Sequence, residues 1–511
     1  MRCPTSSPIF ILGVPRSGTT LLRAILDSHS AIACGPETPW LAAHQPRSVQ
    51  GLLRFLRDEK HGYCASFGMS KDLATAAVRT LVSELMDAYA ASRGKRRWAE
   101  KTPDNVLFAD FLFDLFPRAR AIHLVRDGLD VAASTSIIAP HRRGISAWHE
   151  KNLSFGPGVA VANTPFAALL RWRHWNAIVA RALEARTVLR VDYESLVAEP
   201  DRTVRTIMDF VGEPFEPAML DYAGHAHDLP EWEWGSADVR AHGAIRADRV
   251  GRAAADLDPL AREILGPLAS AQRVPIEPAA ALAAVDQLQS PLFRRYMEYV
   301  NAFAAPLGLK TFTNWSKVWE YPWLWFRALA RVDWAARPRL VDLGSELSPM
   351  PWIAALLGAR VTLVERNRKV EPIWASLRDR LRVDVDWVYA DSDRIPLDSD
   401  SADVLTSFSV IEHQPDQRAA IDEAARVLRP GGVLGLSFDI CEPEMGMTFP
   451  AWNGHAMTLR DADAAFTHPA FGQTRPPDWN RADLAPFVAW HRQSAPHHNY
   501  ASGAIVLRKL A

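Results

Sequence analysis

Apolar and polar positions along the chain follow two alternating regimes. The run Ile9-Phe10-Ile11-Leu12 is continuously apolar and lies between Pro8 and Gly13, the pattern of a buried strand, and helical spacing follows over 20–28. A polar helical stretch is predicted at 71–92, buried strands at 121–125 (AIHLV) and 188–191 (VLRV), and an amphipathic helix at 201–211. Strands alternating with helices in this order predict an α/β fold with a parallel sheet. From 253 to 309 the chain is rich in alanine, leucine and proline at helical spacing, with no strong strand. A second α/β series follows, with strands predicted at 339–343, 360–364, 404–408, 433–438 and 504–507. The two series share no repeat. They read as two different nucleotide-type domains, 1–255 and 313–511, joined by a helical connector at 256–312.

Length supports the division, since 511 residues exceed what one ordinary core accommodates. Charge narrows the partners: 58 basic against 59 acidic residues argue against a dedicated nucleic-acid or membrane-surface protein and leave room only for a local basic pocket. Cys3, Cys34, Cys64 and Cys441 form no CxxC pair, so neither a disulfide framework nor a cysteine zinc site is expected, which suits a reducing cytoplasm. The apolar run at Ile9 leaves no room for a signal-peptide core. No stretch reaches the roughly 20 apolar residues that span a bilayer. The richest window, 315–334, is broken by Lys317, Glu320, Pro322, Arg327 and Arg331, and most of the 18 tryptophans are expected in cores.

The loop Gly13-Val14-Pro15-Arg16-Ser17-Gly18-Thr19-Thr20 carries the first chemistry. Its glycine spacing lets the backbone curl so that N–H groups and the next helix N-terminus face an anion. A nucleoside-triphosphate loop places lysine at the position of Thr19; here the lysine is missing and Arg16 sits earlier. A 5′-phosphosulfate has less terminal charge and needs no metal clamp, so the loop fits 3′-phosphoadenosine 5′-phosphosulfate (PAPS) better than ATP.

Gly13 to Leu22, then Asp27-Ser28-His29, Cys34-Gly35-Pro36-Glu37-Thr38, Glu100-Lys101-Thr102-Pro103 and Leu124-Val125-Arg126-Asp127-Gly128, resemble the sulfotransferase superfamily, in particular tyrosylprotein sulfotransferases and their bacterial relatives. The resemblance implies that Arg16, Ser17, Gly18, Thr19 and Thr20 cradle the 5′-phosphosulfate. Arg126 and Ser134 match the 3′-phosphate site, Tyr193 in Asp192-Tyr193-Glu194 joins the cofactor set, and Arg246, Arg249 and Arg252 resemble the basic closing loop over adenine. Glu37 matches the acceptor-facing base and Lys101 the catalytic lysine, although Pro36 replaces the first of the two glutamates of the animal enzymes. Those enzymes also carry a membrane anchor and a disulfide at the cysteine matched by Cys34, whose partner position falls at Ala99 or Glu100 here. Protein-tyrosine sulfation in a secretory lumen is therefore not expected.

The second series resembles class I S-adenosylmethionine-dependent methyltransferases of type 11, through Leu340-Val341-Asp342-Leu343-Gly344, the strand ending at Glu365, Ala390-Asp391, Ile395-Pro396-Leu397 and Leu428-Arg429-Pro430-Gly431-Gly432. The resemblance places Asp342 and Gly344 near the methionine part of the cofactor, Glu365 on the ribose and Asp391 near the adenine. The usual glycine-rich turn is here Gly344-Ser345-Glu346-Leu347-Ser348-Pro349, with only its first glycine kept. Tyr321 is read either as a lid over the cofactor or as part of an aromatic helix, and His413 as a candidate base; His497-His498 lacks partners at metal spacing, and no metal is expected.

The expected protein is a bifunctional cytoplasmic α/β enzyme, pairing a P-loop sulfotransferase domain that uses PAPS with a Rossmann-like methyltransferase that uses S-adenosylmethionine. The acceptor is a small molecule, glycan or peptide, read by loops such as 141–164 and by the tail. Two alternatives stand beside this: a methyltransferase-like module that only binds, and a P-loop kinase.

Overall fold

The computed structural model describes all residues except 1–6, 42–47, 137–150, 157, 185, 229–243, 270–273, 314–315, 446–456, 495, 497 and 511. The chain divides into two compact units, Met1–Gly158 with Arg171–Leu257, and Val159–Leu170 with Asp258–Ala511. Cys3, His497 and part of the 141–164 loop lie outside the described residues.

The first unit is built on β1 (Ile9–Leu12), β2 (Ile32–Cys34), β3 (Arg97–Glu100) and β4 (Arg120–Val125), with β5 (Asn152–Gly156) and, after β6 (Val159–Ala162) of the second unit, β7 (Val188–Asp192). Its sheet runs β2-β3-β1-β4-β7, with every pairing parallel. Successive strand side chains point to opposite faces. Phe10 and Leu12 therefore join one apolar layer with Trp98 and Phe116, while Ile9 and Ile11 join the other with Leu22, Ile25 and Leu26. With β1 central, its C-terminal end opens the loop at Gly13 onto the sheet edge where open α/β folds bind ligands. The pattern did not predict β2 and β3, which are short and, in β3, flanked by charge. Buried Arg97 is satisfied by the Val211 carbonyl at 2.7 Å and Glu213 at 3.3 Å, which is how a polar residue survives in a central strand.

The second unit holds β8 (Ala279–Leu282), β9 (Arg339–Leu343), β10 (Arg360–Glu365), β11 (Val385–Tyr389), β12 (Ala402–Phe408), β13 (Leu428–Ile440) and β14 (Ala501–Arg508). The order is β11-β10-β9-β12-β13-β14-β8, parallel through β13, with β14 antiparallel to both neighbours. β8 adds a weak strand to the stretch 253–309, where no strong one is expected: its sequence, AAAL, has little intrinsic strand preference and pairs along the edge that β14 offers. Residues 258–312 fall in the second unit, as does 159–170, whose Phe166 packs with Tyr296, Tyr299 and Trp325 at ring separations of 5.8 to 6.1 Å. Trp319, Trp325, Trp334, Trp352 and Trp374 are fully buried in this unit. Among the described residues no helix is long and apolar enough to cross a membrane.

Candidate active site

The loop after β1 is bent by residues in the left-handed region. Gly18, at φ +90°, is the N-cap of the helix Thr19–Asp27, and a Cβ there would stand 2.4 Å from the Tyr193 ring. Gly13 serves by close approach instead, since a Cβ would meet Thr19 at 2.7 Å and the Leu124 carbonyl at 2.8 Å. Arg16 also has positive φ, 76°, which no sequence pattern announced. The bend faces a cavity of about 360 Å³, within the range of small-molecule sites, lined by Arg16, Gly18, Thr19 and Thr20. Ser17 does not line it; its hydroxyl is buried without a hydrogen-bond partner.

Arg126, at the end of β4, and Ser134, on the helix Gly128–Ser136, line the same cavity with Tyr193. Arg16 Nε donates to Ser134 Oγ at 3.0 Å, and Arg126 donates to the Arg16 carbonyl at 3.1 Å. The Arg126 guanidinium also lies 4.8 Å from the Tyr193 ring centroid, and its Nε is buried without a partner. A buried unpaired donor is costly unless something on the cavity side accepts it. Asp130, one of the two acids the sequence offers as a partner of Arg126, organises this wall. It accepts from Arg126 at 3.5 Å and from the backbone N–H groups of Gly251 and Ala253 at 2.8 Å each, while Arg126 also donates to the Arg249 carbonyl. Arg246 and Arg249 thereby line the cavity; Arg252 does not, and pairs with Asp256 at 3.0 Å.

On the cavity wall around Thr102, buried Glu100 fixes two segments. Its carboxylate accepts from Thr38 at 2.8 Å and from Thr102 and Asn105, and Thr102 in turn accepts from the Thr38 backbone at 2.8 Å. Burial raises its pKa. The result sets Glu37 in the cavity lining with Lys101 paired to it from behind; the Lys101 side chain is 1% exposed and that of Glu37 20%. Cys34 is a free, buried thiol whose pKa burial pushes up. Arg171 also lines the cavity, although no sequence signal marked it.

In the second unit the residues expected at the cofactor already have partners. Gly344, at φ +65°, ends β9 against Val410, which a Cβ would approach to 2.4 Å. Asp342 is buried, accepts from Thr406 at 2.6 Å, and burial pushes its pKa up to about 7. Glu365 accepts the N–H groups of Glu346 at 3.1 Å, Arg366 at 2.8 Å and Asn367 at 3.0 Å, three of the roughly four lone-pair positions a carboxylate offers. Asp391 pairs with Arg366 at 3.1 Å. Tyr321 is buried, reaches Ser348 at 3.2 Å and packs edge-on to Phe408 at 4.8 Å, so it covers the Gly344 turn from within the core. Next to His413, Glu412 is buried with neither carboxyl oxygen hydrogen-bonded, and its pKa is well above the ordinary value, first through burial and then through Asp439.

Asp342 gives a pH prediction. Burial holds the proton on the folded carboxyl up to about pH 7, whereas an ordinary aspartate loses it near 3.8, so this contribution to stability is lost as pH rises across that window. In urea unfolding at about pH 5 and about pH 7.5, Asp342→Asn loses less stability between the two than the parent does. Equal losses exclude Asp342 as the titrating group.

Residues 8–217 match the sulfotransferase family and residues 341–436 the methyltransferase domain family. The protein-tyrosine sulfotransferase of Drosophila melanogaster is 28% identical over 218 residues, 42% of this chain and 40% of that one. The nodulation protein NoeE of Sinorhizobium fredii is 29% identical over 239 residues, 42% of this chain and 52% of that one. The chain therefore spans about half or less of the length of these curated relatives. The solved sulfotransferase domain of the Synechococcus PCC 7002 olefin synthase aligns with 51% of this chain and 91% of its own, at 23% identity and TM-score 0.33. The chain thus carries a domain of the sulfotransferase family at 8–217 and a methyltransferase domain at 341–436, two transferase families in one polypeptide.

Proposed function

We propose that the first unit transfers a sulfuryl group from PAPS to a hydroxyl, or an amine, of its acceptor by direct in-line attack. The observation that carries this reading is a lysine-free phosphate loop sharing one cavity with Glu37, which Lys101 pairs from behind. PAPS supplies the sulfuryl group and leaves as the 3′,5′-bisphosphate, PAP. The Gly18–Thr20 backbone holds the 5′ end, while Arg126, whose Nε lacks a partner, and Ser134 hold the 3′-phosphate. Glu37 removes the acceptor proton, and Lys101, paired to it from behind, holds it in place and supplies positive charge near the reacting centre. The test is transfer from PAPS to a pool of phenols in EDTA. Activity persists without metal; a requirement for ATP and magnesium assigns a kinase instead.

For the second unit, the family match supports methyl transfer from S-adenosylmethionine. The internal partners of Glu365 and Asp342 favour the second reading, a module without catalysis, because the ribose and methionine contacts have to displace them. Calorimetric titration with S-adenosylmethionine tests the first reading, since absence of binding by the folded chain overturns methyl transfer.

A further inference from the structure

We propose that Arg171 is the acceptor-recognition residue of the first unit and takes an oxyanion, a carboxylate or a phosphate-type group, carried by the molecule that is sulfated. The inference rests on the sulfuryl-transfer reading and gives it a substrate class. Arg171 is 5% exposed and lines the cavity, yet its Nε and Nη2 have no hydrogen-bond partner among the described residues. Charged side chains are almost never this buried without a partner, because the lost hydration has to be replaced. Burial lowers its pKa only to about 10, so the group is a cation at neutral pH. The Trp175 ring, 5.3 Å from the guanidinium carbon, offers a face and no acceptor.

The location favours the acceptor over the donor. The donor's phosphates are already matched by the loop, Arg126 and Ser134. Asp104, the charged group that acts on Arg171, lines the cavity with Thr102, and both follow Lys101 closely in the chain. A guanidinium with two unpartnered donors, in the lining of the cavity that also holds Glu37, suits a planar, two-point oxyanion contact. It holds the acceptor by a group remote from the reacting hydroxyl and orients that hydroxyl toward Glu37.

The experiment uses the full chain with PAPS and four phenols alike except at one substituent: 4-hydroxyphenylacetate, 4-hydroxybenzylphosphonate, 4-hydroxyphenylacetamide and tyramine. The anions exceed the amide in kcat/KM by about tenfold or more, the size of one charge-assisted contact, and tyramine is poorest. The carboxylate and phosphonate arms tell which oxyanion fits. In Arg171→Gln the preference disappears while PAP affinity by calorimetry stays unchanged, and Arg171→Lys keeps part of it. If no phenol is sulfated, the same comparison is made as binding of the four compounds to the PAP-loaded protein, and failure to bind PAP marks the donor reading, not this one, as wrong. An Arg171→Gln protein that keeps the anion preference, a parent that has none, or a variant that loses PAP affinity instead overturns the proposal.

Discussion

Replacing Glu37 with glutamine lowers kcat for sulfuryl transfer by about a hundred- to ten-thousandfold, the range a positioned general base supplies, and leaves PAP affinity unchanged. The geometry separates the two quantities. Glu37 lines the cavity but belongs to the segment fixed by Glu100 through Thr38 and Thr102, away from the loop at Gly18. Glutamine cannot accept the acceptor's proton, and it also leaves the Lys101 ammonium buried without its counter-charge, so the variant melts at lower temperature. A double variant, Glu37→Gln with Lys101→Met, removes both charges. It recovers part of the stability and none of the activity, and the difference measures the coupling. If Glu37→Gln retains activity within about tenfold, the base lies elsewhere.

Arg126→Ala has the second large effect, this time on the donor. The side chain joins the Arg16 carbonyl, the Arg249 carbonyl, Asp130 and the Tyr193 ring, and still has a donor free. Two charge-assisted hydrogen bonds to a phosphate are worth about 3 kcal/mol or more together, which is roughly a hundredfold in affinity. Calorimetry with PAP and with 5′-AMP, which lacks the 3′-phosphate, isolates the contact. The parent prefers PAP by about a hundredfold and Arg126→Ala erases the preference; Arg126→Lys does not restore it, because an ammonium lacks the planar fork. Equal loss of both ligands shows that Arg126 only anchors the 249–253 segment.

Much of the first site was readable because its signals are local. A strand, a glycine loop and a helix in succession need only a dozen residues to declare themselves, and β1, β4 and β7 are apolar enough to stand out. The cavity lining includes Arg16, Gly18, Thr19, Thr20, Glu37, Arg126, Ser134, Tyr193 and Arg246 from separate motifs, and leaves out Ser17 and Lys101. The roles of Glu100 and Arg171 and the long-range contacts of Asp130 were not legible, because they join residues far apart in sequence. Asp130 accepts N–H groups more than a hundred positions along the chain, and Glu100 ties β3 to Thr38. The strand β8 was hidden for the opposite reason: alanine at three of its four positions carries no strand signal, and only the edge of β14 supplies one.

The sequence by itself determined the two α/β series, the phosphate loop that lacks lysine, and the succession of motifs that resembles two transferase families. Those follow from short-range rules: periodicity, glycine placement and the residue types that bind anions. Tertiary structure decided which charges meet. It put Lys101 behind Glu37, left donors of Arg126 and Arg171 unpaired in one cavity, and gave Glu365 to the backbone of its own turn. Burial makes each pairing or its absence consequential, because a charge removed from water has to find a partner in the fold or in a ligand.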